Sequence, residues 1–144
     1  MLDTYRISER LSVVRSKLLL LEKDFKGQSK EKFLSDELFN SAAERNLQVA
    51  IQACIDISNH IVSALGLKKP KKDTAETFRI LAVEGILTED FAKKMVKITG
   101  YRNILVHGYL EVNREETYRN INYHLLDLAE FGKQIEEFLA LREK

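Results

Sequence analysis

A single cysteine, Cys54, leaves no intrachain disulfide to form. No purely apolar run exceeds four residues, as in Leu18 to Leu21, far short of the ~20 that span a bilayer. Nothing at the N-terminus pairs a basic region with a long apolar core in the manner of a signal peptide. A cytoplasmic protein with no membrane partner is therefore expected. One proline and six glycines interrupt the chain rarely, and no stretch alternates apolar and polar residues over the length of a strand. No glycine-rich phosphate cradle is present, which disfavours nucleotide hydrolysis. Cys54, His60, His107 and His124 do not pair at the spacings of structural zinc sites, so neither a metal nor a cofactor is expected. Charge of one sign is lacking too. Twenty-three basic residues against 22 acidic give a formal net charge of +1, without the global positive field of a duplex-DNA binder, so any nucleic-acid contact must be local.

What is present is helical periodicity. With 144 residues and 44% hydrophobic content, one domain over residues 1–144 with a single core is expected. The class is all-α, an up-and-down bundle of four long helices plus one short helix. From Tyr5 to about Asp24, Ile7, Leu11, Val14, Leu18 and Leu21 recur at spacings of four and three, after Asp3 as a cap. A short turn near Lys30 to Leu34 precedes a second helix that starts at Ser35-Asp36-Glu37, with the Ser35 hydroxyl as cap and two acids suiting the dipole, and runs to Leu65 before Gly66. That helix has two apolar stripes, one through Leu47, Ala50, Cys54, Ile57, Ile61 and Ala64, the other through Ile51, Ile55, Val62 and Leu65. Either it is the central helix of the bundle, or the second stripe is a dimer seam. A basic connector, Lys68-Lys69-Pro70-Lys71-Lys72, reads as a solvated loop, with an RNA-tracking role as the other reading. A short helix capped by Asp73 and ending near Gly85, a helix opening at Thr88, and a last one opening at Asn113 complete the chain.

The window Gly100 to Tyr109 carries the densest polar chemistry. Phe91, Met95 and Ile98 set an apolar rhythm, and Arg102 stands where the next core residue is due. An unpaired guanidinium on a buried face costs several kcal/mol, so Arg102 must face a carboxylate, an anionic ligand or a cleft. At about 100° per residue, Asn103 and His107 share a face, while Arg102 and His107 are about 140° apart. Gly108 is placed to end the helix, leaving His107 in the last turn, where the dipole favours the imidazolium. A histidine beside a fixed cation and an amide suits acid-base work on a phosphodiester. Taken singly, these residues are equally a helix-end histidine and an interhelical ion pair. Elsewhere, Asp56 and His60 are four apart on one helix face and read as a hydrogen-bonded pair; Cys54 reads as a buried inert thiol, His124 as surface or filler.

Arg102-Asn103, three apolar residues, then His107-Gly108-Tyr109 resembles the R-x4-H-x-Y signature of the HepT-like branch of HEPN domains. The run from Glu44 to Ile57 is similar to that branch's second long helix, and the likeness extends over the whole chain in length and helix order. The resemblance implies a homodimer in which two copies of Arg102 and His107 meet across a cleft. It implies a metal-independent endoribonuclease toxin, with a minimal nucleotidyltransferase as its antitoxin partner. Attack of a ribose 2′-hydroxyl on the adjacent phosphate would leave a 2′,3′-cyclic phosphate and a 5′-hydroxyl, and DNA, lacking the nucleophile, would not be cut. By the same likeness His107 is the general base or acid, Arg102 holds the phosphate, and Asn103 fixes the histidine or a phosphate oxygen. Tyr109 matches the tyrosine that accepts AMP, and Arg45 and Asn46 are candidates to support the cleft from behind. The rival reading is a non-catalytic helical module that docks a nucleotidyltransferase and its substrate.

Overall fold

Side chains at the breaks start most of the helices. In the computed structural model, which describes residues 2–68, 74–107 and 113–142 with the side chains of residues 106 and 107 left aside, there are seven helices and no strand. Helix α1 spans Thr4–Asp24 and is opened by the Asp3 carboxylate, which accepts from the Arg6 amide at 3.0 Å. Ser29 caps α2 (Lys30–Ser35), and Asp36 caps α3 (Glu37–Ala64). Helix α4 (Glu76–Val83) has no side-chain cap at Ala75; the expected cap, Asp73, lies outside the described residues, as do Lys69 to Lys72. Thr88 accepts from the Phe91 amide at the head of α5 (Glu89–His107), and Asn113 accepts from the amides of Glu115 and Glu116 at the head of α6 (Arg114–Tyr123). Gly66 and Gly85, which follow α3 and α4, hold φ of +67° and +77°, a left-handed conformation that glycine adopts without a Cβ penalty.

The chain's last helical stretch differs from the expected single helix. It breaks at His124, giving α6 and then α7 (Leu125–Arg142). Ile121, Leu125 and Leu128 keep the spacing of four and three straight through this break, and all three are buried, so the apolar pattern cannot register it. At the corner His124 Nδ1 lies 3.3 Å from the Asp127 carboxylate, and the Asp127 amide donates to the His124 carbonyl at 3.1 Å. His124 is exposed, and it holds the junction rather than filling space.

Helix α3 packs against all six other helices. Its second stripe is consumed in that role, since Ile51, Ile55 and Val62 are each at most 1% exposed. These residues are core, and they are not available as a dimer seam. Cys54 is fully buried between them, and burial pushes its thiol above the ordinary range, as an inert thiol requires.

Phe131 of α7 meets Phe78 of α4 edge to face, with centroids 6.1 Å apart and planes at 89°, and both rings are fully buried. Phe131→Ala should lower the unfolding free energy by about 3–5 kcal/mol, because it leaves a ring-sized void at the centre of the bundle. Urea denaturation, with m unchanged, would measure it.

Helix α5, which carries the polar stretch, is fastened at both ends. The Thr88 amide donates to the Gln134 side chain of α7 at 3.0 Å. Near the other end, the hydroxyls of Tyr101 and Thr117 lie 2.6 Å apart in the interior, joining α5 to α6. Burial pushes the Tyr101 phenol well above its ordinary range, so it serves as a neutral hydrogen-bonding strut. Arg102 is the next residue along, and its position is fixed by that strut.

Candidate active site

Phe91, Met95, Ile98 and Tyr101 are all buried along the inner side of α5, and Arg102 emerges half-buried beside them. Its guanidinium makes no ion pair among the described residues. Nη1 donates to Asn103 Oδ1 at 3.0 Å, Nη2 donates to Gln52 Oε1 of α3, and Nε is buried without a partner. The two acceptors are neutral amide oxygens. They fix the fork without cancelling its charge, so the cation stays available to an anion that enters the cleft.

A chain of polar contacts continues outward from there. Gln52 Nε2 donates to Asp56 Oδ1 at 2.8 Å, and Arg10 Nη1 of α1 donates to Asp56 Oδ2 at 3.2 Å. Gln52 thus has its amide orientation fixed from both sides: its nitrogen faces a carboxylate, and its oxygen must face Arg102. The cleft in front encloses about 410 Å³ and is bordered by Arg10, Arg45, Arg102 and Asp56, with Gln48 and Gln52 between them. Val13, Val49 and Ala53 give it an apolar patch. Three guanidinium groups face one carboxylate, and both oxygens of that carboxylate are already engaged, so the cleft favours anions despite the near-neutral chain.

Of the residues singled out from sequence, Arg102 and Arg45 border this cleft, and Asn103 joins it through Arg102. Asn103 turns its amide oxygen to Arg102. Asn46 stands apart, because its amide donates to the Ala42 carbonyl of its own helix at 2.9 Å and it does not border the cleft. Asp56 and His60 do not form the pair their spacing suggested. Asp56 turns to Arg10 and Gln52, while His60 Nε2 accepts from the Asp3 amide at 3.0 Å. Helix α5 stays helical as far as His107, which puts that residue in the last turn; its side chain and the whole of Tyr109 lie outside the described residues. Among the described residues, no three His, Cys, Asp or Glu side chains gather as a metal site. Nor is any helix long and apolar enough to cross a membrane.

Sequence reasoning missed Gln52 and Arg10 as members of the site. The one local signal was the spacing of four between Gln52 and Asp56, which puts both on one face of α3. Gln52→Glu should discriminate between a neutral clamp and a merely polar one. A carboxylate against Arg102 would neutralise the cation, so the affinity of the cleft for a phosphate anion should fall about tenfold or more while the fold persists, read by titration and circular dichroism.

The profile of the family described as "Ribonuclease HepT-like" matches residues 7–135. An mRNA nuclease HepT of Shewanella oneidensis is 34% identical over 101 residues, covering 69% of this chain and 74% of that protein. A tRNA nuclease HepT of Aphanizomenon flos-aquae is 34% identical over 139 residues, covering 96% of this chain and 92% of that one. Among solved structures, the tri-AMPylated Shewanella oneidensis HEPN toxin in complex with an MNT antitoxin superposes with a TM-score of 0.83 at 27% identity, over 92% of this chain and 97% of that one. With that superposition over most of both chains and the family profile covering most of the sequence, the chain belongs to the Ribonuclease HepT-like family, an all-α HEPN ribonuclease.

Proposed function

We propose that this protein is the ribonuclease toxin of a HEPN and minimal-nucleotidyltransferase pair, acting in the cytoplasm as a homodimer and cutting RNA without a metal ion. The observation that carries the reading is the Arg102 guanidinium, held by two neutral amide oxygens at an arginine-bordered cleft. Such a cation is set to bind a phosphodiester and to stabilise the charge that grows on its oxygens in the transition state. His107, five residues on in the last turn of α5, takes the proton from the 2′-hydroxyl or gives one to the departing 5′-oxygen. The 2′-oxygen bonds to phosphorus as the bond to the 5′-oxygen breaks, leaving a 2′,3′-cyclic phosphate and a 5′-hydroxyl. The relatives' names differ between mRNA and tRNA, and the backbone chemistry proposed here is common to both.

The helix geometry supports the homodimer. Arg102 and His107 are about 140° apart around α5, which suits a groove walled by two copies better than one face of a single helix. Tyr109, two residues past the histidine, is proposed as the acceptor of AMP from the nucleotidyltransferase. New phosphate beside Arg102 would occupy the cation that RNA needs. The relative solved with an MNT antitoxin is itself AMPylated, which supports this assignment.

Mixing tests the dimer. Arg102→Ala and His107→Ala proteins, each strongly impaired alone, should regain part of the wild-type rate when unfolded together and refolded, because some mixed dimers keep one complete pair. Sedimentation should give twice the chain mass. A monomer at micromolar concentration, with no recovery on mixing, would refute the composite site.

A further inference from the structure

A second groove, of about 530 Å³, adjoins the Arg102 cleft on the α1–α3 surface and shares Arg10 and Asp56 with it. Arg6 and Arg10 form its α1 wall, and Asp56, Asn59, His60 and Ser63 form its α3 wall. The Arg6 guanidinium has no partner among the described residues. Asn59 Oδ1 accepts from the Thr77 hydroxyl at 3.0 Å, which leaves its amide hydrogens to the groove. His60 Nε2 accepts from the Asp3 amide, so the ring proton sits on Nδ1 and that nitrogen is a donor. The one carboxylate in the wall, Asp56, already has both oxygens engaged by Arg10 and Gln52. Asp3 is not in the groove's lining, and its carboxylate accepts from the Arg6 amide through Oδ1.

The groove therefore presents the unpartnered Arg6 guanidinium, Arg10 paired with Asp56, and several neutral donors, a lining with a net positive charge. That is the complement of a phosphodiester backbone, which offers anionic oxygens and no donors of its own at the phosphate. Its direction matters as much as its charge. From Gln52, which holds Arg102, to His60 the chain advances eight residues along α3, about 12 Å at 1.5 Å per residue, so the groove leads away from the cleft by more than one nucleotide. Resting on the ribonuclease reading above, we propose that this α1–α3 groove binds the phosphates of the RNA strand flanking the scissile bond, with Arg6 as its principal contact. A protein partner would need apolar surface to bury, and Val62 is the one purely hydrocarbon side chain in the lining.

Two exposed positions allow a test that leaves the fold and the cleft intact, Arg6→Glu and Ser63→Asp. The probe is a fluorescently labelled 2′-O-methyl oligoribonucleotide, which binds without offering a nucleophile, read by anisotropy across a salt series. Each variant should weaken binding by about tenfold, and Arg6→Glu should flatten the log–log salt slope by about one. On a cleavable RNA, KM should rise while kcat stays at the wild-type value. Variants that bind the probe as tightly as wild type, with the same salt slope, would overturn the proposal. So would variants that lose only the nucleotidyltransferase, which would make the groove a protein-docking surface. A wild-type protein that binds the probe through this groove but cuts no RNA would overturn the ribonuclease reading instead and leave the groove standing.

Discussion

Arg102→Ala should reduce kcat/KM for RNA by about 10² to 10³, the loss typical of removing one preorganised charge-stabilising donor from an active site. The protein should fold as before. Arg102 is half-buried, its Nε has no partner, and its other contacts are hydrogen bonds to two amides, so removal strands no charge in the interior. Freed of the arginine, Gln52 keeps its contact with Asp56. Arg102→Lys should recover only part of the rate, since an ammonium cannot reach both Asn103 and Gln52 in the planar fork the site is built for. Steady-state cleavage together with thermal melts would separate the two effects. A variant that loses activity only in proportion to lost folding would make Arg102 a structural residue.

His107→Ala should cost about 10² to 10⁴ in kcat, the usual range for a positioned proton-transfer group. The loss should lie in kcat more than in KM, because a group that moves a proton acts mainly in the transition state, whereas the arginine contributes to holding the phosphate as well. Oligonucleotide binding by His107→Ala should stay near wild type. A variant that binds RNA tenfold more weakly yet turns over normally at saturation would reassign His107 to substrate binding.

How far the sequence was legible depended on distance along the chain. Asp3, Thr88 and Asn113 could be read as helix starts because each caps an amide only two or three residues away, whereas the cap of α3 is Asp36 and not the expected Ser35 hydroxyl, which donates back to the Glu31 carbonyl at 2.8 Å. The central place of α3 was visible in its two apolar stripes. The corner at His124 was not, because Ile121, Leu125 and Leu128 keep a helical rhythm across it and the bend rests on backbone and His124–Asp127 contacts. The arginine was readable as an anomaly next to the core, although Tyr101 and not Arg102 takes the buried position after Ile98, and what holds Arg102 was not readable. Gln52 lies fifty residues from Arg102 and Arg10 lies forty-six from Asp56, so only the packing of α1, α3 and α5 brings them into one chain of contacts. Asp56 and His60 teach the converse. Helical spacing allowed them to meet, and stronger partners on α1 drew them apart, Arg10 for the carboxylate and the amide at the α1 N-terminus for the imidazole.

The most direct test of the central claim is the chemistry of the cut ends, determined on RNA incubated with the purified, non-AMPylated protein in excess chelator. The account predicts undiminished cleavage, leaving 2′,3′-cyclic phosphate and 5′-hydroxyl termini, and none at a position whose ribose is 2′-deoxy or 2′-O-methyl. Cleavage that stops in chelator, or that leaves 3′-hydroxyl and 5′-phosphate ends, would contradict it, because water activated by a metal would then be the nucleophile in place of the ribose hydroxyl.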